Sequence, residues 1–167
     1  AKHKPGTAIA IPANISSRDD LTRLVNETNA SFGKIDIMVC NAASNPYYGP
    51  MSGITDEAFA KILSNNIISN NTLATLVAPQ MAERKDGAII IISSIGGLRA
   101  STVIGAYCVS KAADVQLARN PAAELGPSGI RVNCISPGLV KTDFAKALWD
   151  DPEMKEQREE QTPLRRI

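Results

Sequence analysis

A phenol and an ammonium stand four residues apart at Tyr107 and Lys111, in the stretch YCVSK at 107–111. On a helix, residues i and i+4 lie on one face, with their Cβ atoms about 5–6 Å apart. A cation this close favours phenolate over phenol, which lowers the tyrosine pKa and creates a proton donor and acceptor near neutral pH. The same spacing also describes an ordinary exposed helix pair, so the surrounding elements must decide between the two interpretations.

The apolar pattern of the chain predicts strands that alternate with helices. Four strands are predicted, the last three as continuous apolar runs, and they span 7–14, 35–43, 87–94 and 129–138. Helices are predicted between them, at 16–33 with Ser17 as a cap, from Thr55 or Asp56 to about Arg84, at 105–125, and in a charged tail. This order predicts an α/β protein with a parallel sheet covered by helices on both faces, and residues 1–167 fit a single domain.

Small and polar residues follow each of the three buried strands. They are Asn41-Ala42-Ala43, Ser93-Ser94 and Pro137-Gly138. Ligands of open parallel sheets bind outside the carboxyl ends of the strands. One such end arises easily by chance, but three together indicate a surface where a flat ligand approaches the backbone.

Composition excludes several classes of function. The net charge is +1, so neither nucleic acid nor an anionic membrane is expected as a partner. Apolar runs are short, which favours a soluble, cytoplasmic protein. Cys40, Cys108 and Cys134 stand among apolar or small residues and are interpreted as reduced core thiols. His3 is the only histidine, which argues against a Ser-His-Asp triad and against a histidine-ligated metal, so no metal is expected.

Five marks along the chain resemble the short-chain dehydrogenase/reductase family, and their order and spacing agree with it. They are NAA at 41–43, Asn66, SS at 93–94, YCVSK at 107–111 and PGLVKT at 137–142. The YxxxK motif alone is weak, whereas the five in register are specific. The resemblance implies a Rossmann-like doubly wound fold and hydride transfer between NAD(P) and a carbonyl or alcohol.

The family's catalytic residues are carried over to four positions. Tyr107 would be the general acid or base, and Lys111 would supply positive charge and hold the nicotinamide ribose. Ser94, thirteen residues before Tyr107, would bind the substrate oxygen; Ser93 is the competing serine, and a turn cap is the alternative role. Asn66 would hold a water that relays protons to Lys111, although Asn65 could be confused with it and the asparagine-rich SNNIISNN could be a simple weak point in the helix.

The resemblance also implies a set of cofactor contacts besides Tyr107 and Lys111. They are Asn14 and Ile15 beside the adenine, Asn41, Ala42 and Ala43 on the adenosine side, Pro137 and Gly138 under the nicotinamide, and Val140 and Thr142 at its amide or phosphate. Two positions depart from the family pattern, which more often has glycine at Ala43 and aspartate at Asn14. NADP is favoured over NAD by resemblance only.

The substrate would meet the loop SNPYYGPM at 44–51 and the tail. Ser94 and Tyr107 would bind its oxygen. Tyr47 and Tyr48 are either walls of the pocket or surface turn residues. Trp149, with Phe144 and Leu148, would belong to a covering lid, or else to an amphipathic helix on the domain.

Other features depart from the family. The glycine-rich phosphate loop T-G-x-x-x-G-x-G does not occur in the sequence, and the chain would correspond to the family from its third strand to the lid, lacking the first two strands and the last. The strand at 7–14 would then have no partner, and dinucleotide binding would be poor. Pro121 falls inside a helical pattern, where proline costs about 3 kcal/mol, so a kink or a wrongly recorded residue is expected.

Two other functions stay open on this evidence. One is a nucleotide-sugar epimerase or dehydratase, which would use the same tyrosine and lysine. The other is a cofactor-less remnant that binds a partner, as the missing glycine loop would allow. The intact parent of the family type would be a homotetramer that pairs through the helices at 56–84 and 105–125.

Overall fold

A three-stranded parallel sheet forms the centre of the molecule in the computed structural model, which describes residues 6–167. Its strands are β1 (Ile37–Cys40), β2 (Gly87–Ile92) and β3 (Ile130–Ile135), in the order β1-β2-β3. β2 pairs with both neighbours and is the most buried of the three, as its run of isoleucines predicts. The parallel sheet is therefore confirmed, with shorter strands than the apolar runs indicated.

Five α-helices accompany the sheet among the described residues. They are α1 (Arg18–Phe32), α2 (Asp56–Leu63), α3 (Ser69–Arg84), α4 (Gly105–Leu125) and α5 (Pro152–Glu160). A π-helical segment, Ser64–Ile68, joins α2 to α3, and 3₁₀ turns lie at Met51–Gly53, Ile95–Gly97, Gly126–Ser128 and Asp143–Leu148. Ser17 and Thr55 cap α1 and α2 through their hydroxyl groups, which confirms both predicted helix starts.

The core lies between one face of the sheet and the helices α1, α3 and α4. Alternate strand residues, such as Cys40, Ile89 and Val132, point into this core with residues of those helices. Ile37 and Val39 of β1 belong to the opposite face and are more than half exposed. Helices on both faces were expected, but within residues 6–167 this packing covers only one face.

The predicted strand at 7–14 is wrong, because these residues are not in a strand. A strand needs a neighbour to accept and donate its backbone hydrogen bonds. The three strands of the described sheet pair only with one another, and Ile9 is 47% exposed. The apolar pattern of 7–14 therefore does not make a strand, because none of the three strands pairs with this segment. His3 lies outside the described residues.

α4 runs through Pro121, about one turn before its C-terminal end. The helix that the sequence pattern predicted at 105–125 is therefore confirmed, and it includes Pro121. Cys40 and Cys108 are buried and Cys134 is half-buried, as expected of core thiols. Over residues 6–167, no helix combines the length and the apolar character needed to cross a bilayer.

Candidate active site

Three predicted catalytic side chains meet at the carboxyl end of β2. α4 carries Tyr107 and Lys111, and the Lys111 Nζ lies 5.5 Å from the centre of the Tyr107 ring. Lys111 Nζ also donates to the carbonyl of Ile92, the last residue of β2, at 2.8 Å. Ser94, two residues beyond the strand, has its side chain close enough to the Tyr107 phenol to act against the rise of its pKa. One edge of the sheet therefore gathers a hydroxyl, a phenol and an ammonium.

The two adjacent serines have different positions. Ser93 is buried, and its Oγ donates to the Lys111 carbonyl at 2.6 Å, so it fastens α4 to the end of β2. Ser94 is half-buried and also caps the next turn, because its Oγ accepts from the Gly96 amide at 3.0 Å. Of the two, Ser94 is the one that reaches Tyr107, so both roles considered for it are compatible.

The ionisation of Tyr107 differs from expectation. Burial raises the pKa of Tyr107 to about 12; the Ser94 side chain opposes this rise, and Asp114, Cys108 and Tyr48 add to it. The expected lowering of the Tyr107 pKa by Lys111 is therefore wrong for this arrangement. The loss of water around the phenol is the largest cause of the rise, and Tyr107 is protonated near neutral pH.

Lys111 is almost completely buried, with 2% of its side chain exposed. Its ammonium forms an ion pair with the Asp114 carboxylate, Nζ to Oδ2 at 2.9 Å, and Asp114 is fully buried. Burial raises the pKa of the Asp114 carboxyl, while the Lys111 ammonium and the Asn70 amide oppose that rise. Because an ammonium has three donors, the contacts to Ile92 and Asp114 leave one for a ligand.

Asn66 lies in the π-helical segment and is fully buried. Its Oδ1 accepts from the Ser44 amide at 2.8 Å, while its Nδ2 donates to the Ser44 carbonyl at 3.1 Å and to Ser110 Oγ at 3.0 Å. π-helical segments are frequent at functional sites. The asparagine-rich irregularity seen in the sequence is therefore a defined structure, which turns Asn66 towards α4 and the loop after β1.

Asn66 connects to Lys111 through two residues that sequence reasoning missed. Asn70 Nδ2 donates to the Asn66 carbonyl at 2.6 Å and to Asp114 Oδ1 at 3.1 Å, and Asp114 binds Lys111. These side chains span the path for which a bridging water was expected. The signal for Asp114 was present in the sequence, since a carboxylate three residues after Lys111 lies on the same helix face as that lysine.

The predicted cofactor contacts beyond α4 lie around the same edge of the sheet. Asn41 and Ala42 are exposed directly after β1, Ala43 is half-buried, and the Pro137 carbonyl accepts from the Ile95 amide at 2.9 Å. Gly138, Val140 and Thr142 follow β3 and are exposed.

These residues fit the nicotinamide and adenosine portions of NAD(P). A Cβ atom added at Gly138 would meet no atom within 4 Å, so the backbone there is open to a flat ring. The Lys111 ammonium has a donor to spare beside Tyr107. The sequence supplies no glycine-rich loop for the pyrophosphate.

Asn14 and Ile15 are engaged in local structure. Asn14 Oδ1 accepts from the Ser16 amide at 3.0 Å in the turn before α1. Ile15 is half-buried against the core and lines a small cavity of about 110 Å³. Ser16 Oγ donates to Asn65 Oδ1 at 2.6 Å, which ties this segment to the helix that carries Asn66. Contact of Asn14 and Ile15 with an adenine stays a prediction.

The two tyrosines of the loop after β1 behave differently. The Tyr47 hydroxyl donates to the Pro50 carbonyl at 2.9 Å, so this side chain folds back on its own loop. Tyr48 is 42% exposed and close enough to Tyr107 to raise its pKa. Of the two tyrosines considered as pocket walls, Tyr48 is the one whose charge acts on Tyr107, and a substrate contact by Tyr47 stays a prediction.

The aromatic residues of the tail, Trp149 and Phe144, also differ in what they contact. Trp149 Nε1 donates to the Thr142 carbonyl at 2.8 Å, and the Lys141 ammonium lies 5.1 Å from the Trp149 ring centre, so Trp149 packs on its own segment. Phe144 instead reaches the site, with its ring centre 6.2 Å from that of Tyr107. Among the aromatic residues considered for the lid, Phe144 is the one that contacts the phenol.

The site and the fold together define the class of protein. All of residues 1–167 match a family model described as enoyl-(acyl carrier protein) reductase. The chain belongs to the short-chain dehydrogenase/reductase family, which confirms the predicted family and its Rossmann-like α/β fold.

Several named proteins are similar to this chain over most of its length. Dehydrogenase/reductase SDR family member 4 of Rattus norvegicus is 38% identical over 157 residues, which are 94% of this chain and 56% of the relative. The solved 7α-hydroxysteroid dehydrogenase, complexed with NADH and 7-oxo glycochenodeoxycholic acid, has a TM-score of 0.85 at 35% identity, covering 93% of this chain and 60% of that one. Gluconate 5-dehydrogenase from Burkholderia cenocepacia, with NADP and tartrate, has a TM-score of 0.85 at 27% identity, covering 91% and 59%. The chain thus spans just over half the length of these proteins.

Proposed function

We propose that this protein is an NAD(P)-dependent carbonyl reductase or alcohol dehydrogenase. The observation that carries the proposal is the convergence of Ser94, Tyr107 and Lys111 at the carboxyl end of β2. Parallel sheets bind ligands at this end. The comparisons add relatives that are named dehydrogenases and reductases.

Each of the three side chains has a separate task in carbonyl reduction. Ser94 donates a hydrogen bond to the substrate oxygen and stabilises the negative charge that develops there. Tyr107, protonated because burial raises its pKa to about 12, gives its proton to that oxygen. Lys111 supplies positive charge beside the phenolate that remains. When bound, the nicotinamide supplies the hydride to the carbonyl carbon.

The cofactor would lie across the carboxyl ends of β1 and β3. Asn41, Ala42 and Ala43 would line its adenosine side, and Pro137 and Gly138 would pass beneath the nicotinamide. Val140 and Thr142 would bind its amide or phosphate. One solved relative is complexed with NADH and another with NADP, so either nicotinamide cofactor suits this proposal.

A small carbonyl compound is the substrate class that we propose. Tyr48 and Phe144 both approach Tyr107, one from the loop after β1 and one from the tail. Two aromatic side chains beside a proton donor favour a substrate with an apolar body and one carbonyl group. The proposal also includes a homotetramer that pairs through the helices at 56–84 and 105–125, and a cytoplasmic location.

The experiment measures the absorbance of reduced nicotinamide with a panel of aldehydes and ketones. It uses the 167-residue chain and a version extended at its N-terminus by a segment that carries T-G-x-x-x-G-x-G. We expect carbonyl-dependent oxidation of NADPH or NADH in the extended version and weak cofactor binding by the shorter one.

Other substrates in the same assay distinguish the alternatives. Turnover of nucleotide sugars alone would favour the epimerase, and turnover of an enoyl thioester alone would point to reduction of a carbon-carbon double bond. If neither version binds a nicotinamide cofactor in a calorimetric titration, the enzyme proposal fails and the binding-module interpretation replaces it.

A further inference from the structure

Asp114 is a fully buried carboxylate on α4, one helical turn after Lys111. Both of its oxygens are engaged: Oδ2 accepts from Lys111 Nζ at 2.9 Å and Oδ1 from Asn70 Nδ2 at 3.1 Å. A buried carboxylate is costly unless it is paired and hydrogen-bonded, and these two contacts meet that need. The mechanism proposed above gives Asp114 no task.

The ion pair fixes where the Lys111 ammonium is and what charge its surroundings carry. Nζ is held between the Ile92 carbonyl at 2.8 Å and Asp114 at 2.9 Å, and it stays 5.5 Å from the centre of the Tyr107 ring. A paired anion and cation act on a third group as a dipole, which falls off faster with distance than a single charge. Tyr107 therefore experiences much less than a full positive charge.

We propose that Asp114 is a positioning residue that holds Lys111 and offsets its charge at Tyr107, which adds to the effect of burial in keeping the phenol of the resting site protonated. The protein would then begin its cycle as a proton donor, which is the state that carbonyl reduction needs. The inference rests on the proposed function for its catalytic meaning. The proposed effect of Asp114 on the protonation of Tyr107 involves only side chains of this chain.

The groups around Tyr107 agree with this assignment. Lys111 is a cation on its own helix, whereas Cys108 on the same helix and Tyr48 on the loop after β1 both raise the Tyr107 pKa, as Asp114 does. On the strands, burial is the main cause that raises the pKa values of Cys40 of β1 and Cys134 of β3, and the charge of Asp114 adds to both.

Replacing the carboxylate tests the proposal without any assay of turnover. Asp114→Asn keeps the size of the side chain and an oxygen acceptor but removes the negative charge. The tyrosinate absorbance is titrated in the wild type and in Asp114→Asn, and Tyr107→Phe in each background identifies the signal. We expect the Tyr107 midpoint to fall by about one unit or more in Asp114→Asn, because Lys111 then acts as an uncompensated cation.

Asp86→Asn is the matched control, since it removes the same charge from an exposed position, and it should leave the midpoint unchanged. A Tyr107 midpoint in Asp114→Asn that is unchanged or higher, with an intact near-ultraviolet circular dichroism spectrum, would overturn the proposal. If that variant does not fold, Asp114→Ser, which removes the same charge with a smaller side chain, takes its place with the same two outcomes. A wild-type midpoint below the ordinary tyrosine pKa of about 10 also refutes the proposal.

Turnover separates this inference from the function on which it rests. If the extended protein reduces carbonyls, the alkaline limb of its pH profile should move to lower pH in Asp114→Asn. A shifted phenol titration without any turnover would retain the role of Asp114 and reject the reductase. Turnover with an unshifted phenol titration would support the reductase and reject the role of Asp114.

Discussion

Asn66 Nδ2 donates to Ser110 Oγ at 3.0 Å, and this bond joins the π-helical segment to the helix that carries Tyr107 and Lys111. Ser110 Oγ in turn donates to the Tyr107 carbonyl at 2.7 Å. Asn66 therefore supports the backbone of the proposed proton donor through a single intervening hydroxyl. A residue carried over as part of a proton relay also has a structural role at the site.

Replacing Asn66 with leucine should lower the free energy of unfolding by about 3 kcal/mol. The variant leaves the Ser44 amide and carbonyl without their partner, and each buried polar group left unsatisfied costs about 1–3 kcal/mol. Unfolding in urea measures the loss. Asn71→Leu is the control, because Asn71 is exposed five residues further along the same helical run; equal losses in both variants would contradict the role of Asn66.

Tyr107→Phe should abolish carbonyl reduction in the extended protein while leaving cofactor affinity nearly unchanged. The ring and its contact with Phe144 remain, but the proton donor is lost, and general acid catalysis is worth about 10²–10⁴ in rate. Steady-state kinetics and a calorimetric titration with NADPH measure the two quantities. Comparable rates in the variant would remove Tyr107 from the mechanism.

The Tyr107 phenol should make the protein less stable in alkali. Its pKa is raised from 10 in the unfolded chain to about 12 in the folded one, so the folded state holds this proton more tightly. The resulting stabilisation is complete below pH 10 and is lost as the pH rises through about 12. We expect a loss of no more than about 2 kcal/mol, because the ring is only partly buried.

The comparison with Tyr107→Phe isolates that effect. Denaturant unfolding is measured for both proteins across the alkaline range, where other groups such as Cys40 also titrate. Subtracting the two curves removes those contributions. A stability difference between wild type and variant that does not change with pH would show that the phenol titrates normally.

Gly97→Ala should destabilise the contact between the turn after Ser94 and α4. A Cβ atom at Gly97 would lie 2.7 Å from the carbonyl carbon and oxygen of Lys111, which are backbone atoms that cannot rotate away. Forcing such an overlap costs about 1–3 kcal/mol. Gly126→Ala is the control, because a Cβ there meets nothing within 4 Å. Equal melting temperatures for the two variants would contradict this close packing.

Spacing alone predicted a large part of the site. Tyr107 and Lys111 are four residues apart, so a helix places them on one face. The apolar run at 87–94 predicted the strand whose carboxyl end they approach. Asp114 and Asn70 were missed because their importance depends on facing each other across two helices. The sequence did not show which of Phe144 and Trp149 contacts Tyr107, because aromatic residues in an irregular segment carry no periodicity that indicates which side chain points inward.

The sequence by itself determined the α/β class, the positions of the long helices and the family to which the chain belongs. Those features depend on local periodicity and on motifs in fixed register, which are readable along a single chain. Tertiary structure decided three other matters: that 7–14 is not a strand, that Ile37 and Val39 face outward, and that the Tyr107 pKa rises. Strand pairing, the buried face of a sheet and desolvation all depend on which distant residues are neighbours, and only the folded chain fixes those neighbours.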